Sequence, residues 1–115
     1  MTNEYKGAII EESLADNRLL NNLDIIKVRI SNDENPADRW HIYTVKVNQE
    51  EIEKLAQNIK PKWYMHFWND QKDIIAIFEN KKFKFNYEDK ASWSPAIDYG
   101  LSQGIPKEQL DFLID

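Results

Sequence analysis

The segment from residue 63 to residue 87 constrains the fold more than any other part of the chain. Three runs rich in aromatic residues and isoleucine are separated by two short polar turns. A period of two is the pattern of a β-strand, and short polar turns between such runs indicate antiparallel hairpins. We place a four-residue turn at 69–72 and a two-residue turn at Asn80 and Lys81. The segment is therefore predicted to be a three-stranded antiparallel meander.

The turn lengths set the register, which decides the side chains that share a face of the sheet. Phe67 is then opposite Ile74, and Phe78 is opposite Phe83. The face predicted to form the core carries Trp63, Met65, Phe67, Ile74, Ala76, Phe78, Phe83, Phe85 and Tyr87. The second face carries Tyr64, His66, Trp68, Ile75, Ile77, Lys82, Lys84 and Asn86. A half-apolar second face needs a cover, which can be the C-terminal helix, another protein chain or a ligand.

Two helices have recognisable ends. Asn48 followed by Glu51 has the spacing of a capping box, and apolar residues then recur at helical spacing, which predicts a helix over 49–59. Gly104 is placed to end a second helix, over 95–103.

Runs rich in Ile and Val predict three further strands, at 7–11, 24–30 and 39–47. The expected fold is a single α+β domain that includes all 115 residues. Its antiparallel sheet has five or six strands. We expect the 49–59 helix on the core face and the 95–103 helix near an end of the sheet or on the second face.

Composition excludes several classes of protein. The chain has no cysteine, which removes disulfides, thiolate metal sites and thiol nucleophiles. Three glycines cannot build a glycine-rich phosphate loop, and no cofactor is expected. No run approaches the ~20 apolar residues of a membrane span, and no signal peptide is visible, so we expect a cytoplasmic protein without a membrane partner.

The second face supplies the candidate functional residues. A binding or interaction domain, with a homodimer as one form of it, would use Tyr64, His66, Trp68, Ile75, Ile77 and Lys84. The alternative is a small enzyme or ligand pocket with His66 as the acid or base, because the predicted register places Asp73 diagonal to it. Tyr64 and Glu12 are the other candidate assistants. Substrate and partner stay open.

Two other groups of residues are weaker candidates for a functional site. Glu11 and Glu12 are predicted to point to opposite faces of a strand, so they cannot act as a carboxylate pair. His41 follows Trp40, but no metal-ligand spacing accompanies it, and no metal site is expected.

A third reading is single-stranded nucleic-acid binding on an aromatic platform with a basic rim. That platform would contain Lys60, Lys62, Tyr64, His66, Trp68, Lys82 and Lys84. The net charge of −5 and the presence of only three arginines disfavour it.

The C-terminal part of the chain carries a resemblance. It reads Tyr99-Gly100-Leu101-Ser102-Gln103-Gly104-Ile105-Pro106-Lys107-Glu108-Gln109-Leu110-Asp111-Phe112. Together with Glu11-Glu12-Ser13-Leu14 and Trp63-Tyr64, this run resembles a group of small prokaryotic proteins with no established activity. The resemblance covers nearly the whole chain, and it implies a fold-sized unit and no reaction.

Overall fold

The protein is described by a computed structural model that covers residues 5–112 and residue 114. One six-stranded antiparallel sheet has the strand order β2-β3-β1-β4-β5-β6. Its strands are β1 (Tyr5–Ile10), β2 (Asp24–Ile30), β3 (His41–Val47), β4 (Tyr64–Trp68), β5 (Asp73–Phe78) and β6 (Lys81–Asn86). The helices are α1 (Gln49–Ala56) and α2 (Ser94–Ser102). Short 3-10 turns occur at Glu11–Ser13, Asn17–Asn22, Pro36–Asp38, Lys90–Trp93 and Lys107–Gln109. The predicted α+β fold is confirmed.

Helix α1 begins at the predicted capping box. The Asn48 side chain accepts a hydrogen bond from the backbone N–H of Glu51, and the Glu51 carboxylate accepts one from the backbone N–H of Asn48. The helix ends three residues earlier than predicted because the chain after it joins a different hydrogen-bond pattern. Ile59 forms a β-bridge with Leu14. The bridge ties the end of α1 to the turn that follows β1.

Helix α2 ends at Gly104 as predicted. Gly104 has a positive φ of 85°, a conformation that costs glycine little because it has no Cβ. The N–H of Ile105 donates to the Gly100 carbonyl at 3.1 Å, and the N–H of Gly104 donates to the Leu101 carbonyl at 3.0 Å. This is a Schellman ending. It turns the chain back across the sheet.

The register between β4 and β5 differs from the prediction by one residue. Phe67 is opposite Ile75, not Ile74, because the last pair next to the turn is Trp68 with Ile74, and five residues, 69–73, separate these two. Lys72 adopts a positive φ of 65°, and the backbone N–H of Asn69 donates to the Asp73 carbonyl at 3.2 Å. A one-residue slip moves every side chain of one strand to the other face relative to its neighbour.

The register between β5 and β6 differs by two residues. The turn consists of Glu79 and Asn80, so Phe78 is opposite Lys81 and Ala76 is opposite Phe83. Because a shift of two preserves the direction of every side chain, this error leaves the predicted faces of β5 and β6 unchanged.

Both faces of the sheet are covered at its centre. On the face that packs against α1, here the α1 face, a core cluster contains Ile9, Leu14, Leu20, Val45, Val47, Ile52, Leu55, Ile59, Met65, Phe67, Ile75 and Ile77. On the opposite face, here the C-terminal face, a second cluster contains Trp68, Ile74, Ala76, Phe78, Phe85, Trp93, Ala96, Ile105, Leu110 and Phe112. None of the helices in the described part of the chain is both long and apolar enough to cross a membrane.

Candidate functional site

The six residues predicted to form one binding face do not share a face. Tyr64, His66 and Trp68 are on the C-terminal face, where Trp68 belongs to the second core cluster. Ile75 and Ile77 are buried beneath α1 on the opposite face. The pairing of Ile75 with Lys84 places Lys84 on the α1 face as well. The predicted grouping is therefore wrong, and its cause is the one-residue slip between β4 and β5.

The same slip separates the parts of the predicted nucleic-acid platform. Lys82 contacts Glu53 of α1, which fixes its position on the α1 face. The aromatic side chains of Tyr64 and His66 are on the other side of the sheet. Lys82 and Lys84 are therefore separated by the sheet from the aromatic part of that platform.

The C-terminal segment, residues 105–112, covers the Tyr64–His66 part of the sheet. Phe112 is fully buried, and its ring centroid lies 5.5 Å from that of Tyr64 and 5.9 Å from that of His66. The Tyr64 hydroxyl donates a hydrogen bond to the Gln109 carbonyl. One of the three predicted covers was the C-terminal helix, whereas the part of the chain that covers Tyr64 and His66 is the segment after that helix. His66 is only 8% exposed, so it offers little surface to a partner chain.

The electrostatics of Tyr64 follow from this cover. Burial of its hydroxyl, together with the nearby Asp111 carboxylate, raises the pKa of Tyr64 to about 12. Both effects disfavour the phenolate. Tyr64 is therefore a neutral hydrogen-bond donor at physiological pH.

Of the three predicted assistants of His66, Tyr64 is its neighbour, with ring centroids 6.3 Å apart, whereas Asp73 and Glu12 lie elsewhere. Asp73 is paired with Asn86, and alternation along β5 places it on the α1 face, away from His66. Its carboxylate accepts a hydrogen bond from the Asn86 side-chain amide at 3.1 Å. Glu12 contacts His41 instead. The predicted acid–base group is therefore not assembled around His66.

A cleft opens beside His66 where the cover ends. It has a volume of about 220 Å³. Its walls are formed by the sheet and the C-terminal segment, and they contain Ala8, Ile10, Trp40, Ile42, Lys62, Trp63, Tyr64, Met65, His66, Ile105 and Gln109. Trp40 and Trp63 meet edge to face, with ring centroids 5.2 Å apart. This cleft is the candidate functional site.

The strand order explains why the two tryptophans meet. Trp40 directly precedes β3 and Trp63 directly precedes β4. Both strands are antiparallel to β1, which lies between them. Strands β3 and β4 therefore run in the same direction, and both begin at the same end of β1. Ser31 fixes the first tryptophan, because its hydroxyl accepts a hydrogen bond from the Trp40 backbone N–H at 2.7 Å.

Sequence reasoning missed Trp40 and assigned Trp63 to the core. No motif links the two residues, which are in different predicted strands. A tryptophan immediately before each of two strands is the one signal that could have indicated the site, and it becomes informative only when β1 is known to separate those strands.

The structure also corrects the predicted orientation of Glu11 and Glu12. They do not point to opposite faces, because the chain leaves β1 just before them and forms a 3-10 turn. Glu12 accepts hydrogen bonds from the backbone N–H of His41 at 2.9 Å and from its Nδ1 at 2.8 Å. Glu11 accepts one from the Tyr43 hydroxyl at 2.8 Å. Among the residues that the structure describes, no group of His, Asp or Glu side chains could hold a metal ion.

We expect Glu12 and His41 to titrate as a pair. The hydrogen bond to Glu12 raises the pKa of His41 above its ordinary value of 6.5. Partial burial acts to raise the pKa of Glu12, but its hydrogen bonds from His41 outweigh burial and leave it below its ordinary 4.5. An NMR titration should therefore show His41 titrating above 6.5 in the native protein and closer to 6.5 in Glu12→Gln.

The sign of the effect on stability follows from linkage. The His41 contribution is complete below pH 6.5 and is lost as the pH rises through the raised pKa of the folded protein. The Glu12 contribution is complete above pH 4.5 and is lost as the pH falls through the lowered pKa. The native protein should thus exceed Glu12→Gln in stability most clearly between these two values. An unchanged His41 titration in Glu12→Gln would contradict the pairing.

Comparison with known proteins adds no ligand or reaction to this geometry. No protein-family model, curated protein or solved structure matches the chain. The function has to be argued from the chemistry of the cleft.

Proposed function

We propose that this protein is a small binding domain whose site is the cleft between Trp40, Trp63 and the Tyr64–His66 edge of β4. The observation that carries the proposal is the edge-to-face tryptophan pair beside a cavity of about 220 Å³. Ligand pockets for drug-sized molecules hold roughly 300–1,000 Å³. The cleft is thus sized for one flat ring system, either as a small molecule or as part of a larger ligand.

The lining indicates which ring system fits. Most of the wall is apolar or aromatic, which favours a planar apolar body. Lys62 is the one charged residue among those that line the cleft. It has a positive φ of 69° and is exposed, so its ammonium group can meet an anionic substituent in water. His66 adds a ring that can donate or accept a hydrogen bond. We therefore propose a planar aromatic anion as the ligand class.

The proposal retains part of the predicted binding surface. Tyr64 and His66 line the cleft, whereas Trp68, Ile75 and Ile77 are buried elsewhere and do not line it. Tyr64 contributes its ring face, because its hydroxyl is already bound to the Gln109 carbonyl. His66 contributes part of the aromatic wall.

A matched pair of probes tests this site. We expect 2-naphthoate to shift the indole N–H signals of Trp40 and Trp63 in NMR spectra, in a saturable manner. The neutral analogue 2-naphthamide should bind more weakly, because it lacks the charge that Lys62 meets. The buried indoles of Trp68 and Trp93 are internal controls and should shift little.

Variants sharpen the same test. Ala8→Leu should fill the cleft and weaken 2-naphthoate binding at least tenfold, and Lys62→Gln should remove the preference for the anion. Lys84→Ala, on the opposite face, is the matched control and should bind as the native protein does. If millimolar 2-naphthoate leaves Trp40 and Trp63 unshifted, or shifts all four indoles equally, the cleft is not a binding site.

A further inference from the structure

Strand β2 has an unusual surface for the edge of a sheet. It is exposed along its whole length. Five large apolar side chains are exposed in the described part of the chain, and four of them belong to β2: Ile25, Ile26, Val28 and Ile30. One side of β2 pairs with β3, and among residues 5–112 no strand lies on the other side, so the backbone N–H and carbonyl groups there can pair with another strand.

The opposite edge of the sheet is protected in the usual way. Strand β6 carries Lys81, Lys82 and Lys84, and lysines on an edge strand discourage pairing with another chain. The two edges therefore differ in chemistry. Only β2 combines an open backbone with an apolar stripe.

Pairing with β3 shows which β2 side chains share a face. Ile25 is opposite Val45 and Val28 is opposite Tyr43, which places both on the α1 face. Asp24 and Arg29 are opposite Lys46 and Ile42, which places both on the other face. A β-bulge between Ile25 and Lys27 produces this arrangement.

We propose that β2 pairs with β2 of a second copy of this chain, antiparallel about a two-fold axis, with Asp24 of each copy opposite Arg29 of the other. This register is complementary to itself. It forms two Asp24–Arg29 pairs on one face and two Ile25–Val28 pairs on the α1 face. Opposite charges and apolar pairs directly across a strand pair both stabilise a sheet.

Neighbouring registers lack this match. A slip by one residue in one direction sets Lys27 opposite Lys27 and Ile25 opposite Arg29. A slip in the other direction sets Asp24 opposite Val28. Each alternative brings together side chains from different faces of the sheet, and the first also opposes two like charges.

The proposed register also continues the core across the contact. Leu23, which packs against the α1-face cluster, comes opposite Ile30 of the second copy. The two sheets then join into one, which is the closed, isologous arrangement of a two-fold dimer. Because one strand pair is small beside a standard interface of ~1,600 Å², we expect a reversible dimer with a micromolar Kd.

Charge-swap variants test the register. In sedimentation velocity, the native protein should change from monomer to dimer as its concentration rises through the micromolar range. Arg29→Asp and Asp24→Arg should each be monomeric, because each opposes like charges twice. An equimolar mixture of these two variants should form a heterodimer, and the double variant Asp24→Arg/Arg29→Asp should dimerise again. Lys81→Asp, at the other edge, should behave as the native protein.

The outcomes discriminate clearly. A native protein that stays monomeric at hundreds of micromolar, or single variants that dimerise as well as the native chain, would overturn the proposal. Circular dichroism of each variant separates loss of pairing from loss of folding. The naphthoate titration reports on a different surface, so failure of the dimer leaves the cleft unaffected and the reverse also holds.

Discussion

Replacing Phe112 by Ala should lower the free energy of unfolding by about 3–5 kcal/mol, the range typical of a fully buried Phe reduced to Ala. Phe112 is 0% exposed. Its ring contacts Tyr64, His66 and Phe85, the last at a centroid distance of 5.0 Å, and it also meets Trp93 at 5.4 Å. Removing the ring leaves a cavity where the C-terminal segment crosses the sheet. Urea unfolding followed by circular dichroism measures the change.

A matched variant separates this effect from a general sensitivity of the C-terminal part of the chain. Leu101 is on α2 and is 45% exposed, so Leu101→Ala should change stability by no more than about 0.5 kcal/mol. If Phe112→Ala costs less than 1 kcal/mol by the same measurement, the C-terminal segment is not the structural cover that the packing indicates.

Replacing Gly7 by Ala should cost about 3 kcal/mol, near the upper end of the ~1–3 kcal/mol typical of overpacking. A Cβ at this position would lie 2.2 Å from Cδ1 and 2.5 Å from Cε1 of Phe67. Gly7 is opposite Phe67 in β4 and opposite Val45 in β3, so the backbone of β1 is held on both sides. The Phe67 ring is fully buried, and side chains in a close-packed core cannot move without displacing their neighbours.

A double-mutant cycle identifies the cause. Phe67→Leu shortens the opposing side chain, so Gly7→Ala/Phe67→Leu should be more stable than the sum of the single effects predicts, by about 1 kcal/mol or more. Gly104→Ala is the comparison, because nothing lies within 4 Å of its Cβ position and only the positive φ of 85° opposes it. That variant should cost about 1–2 kcal/mol. Additive effects of Gly7→Ala and Phe67→Leu would contradict the steric explanation.

The elements that were predicted correctly are those with local causes. The capping box involves only residues 48–51. Gly104 ends α2 because glycine adopts a positive φ at little cost. Strands β4, β5 and β6 were identified from short runs rich in aromatic residues and isoleucine between polar turns, which are also local signals. These signals were sufficient for the α+β class.

The candidate site was predicted only in part. Tyr64 and His66 were selected and both line the cleft, but the grouping with Ile75, Ile77 and Lys84 was wrong. The error comes from a single residue in the loop between β4 and β5. Turns that differ in length by one residue differ little in local energy. A register shift of one residue nevertheless moves every side chain of the next strand to the other face of the sheet.

The sequence by itself determined which segments are helix and strand, because caps, turns and alternation act over a few neighbouring residues. Only the tertiary structure decided which strands are neighbours and which faces of the sheet are covered. Pairing of β1 with both β3 and β4 brought Trp40 and Trp63 to one cleft. Docking of the C-terminal segment covered Tyr64 and His66, which the sequence had suggested were part of an open binding surface. The physical reason is that strand order and cover depend on contacts between residues far apart in the chain, which no local pattern encodes.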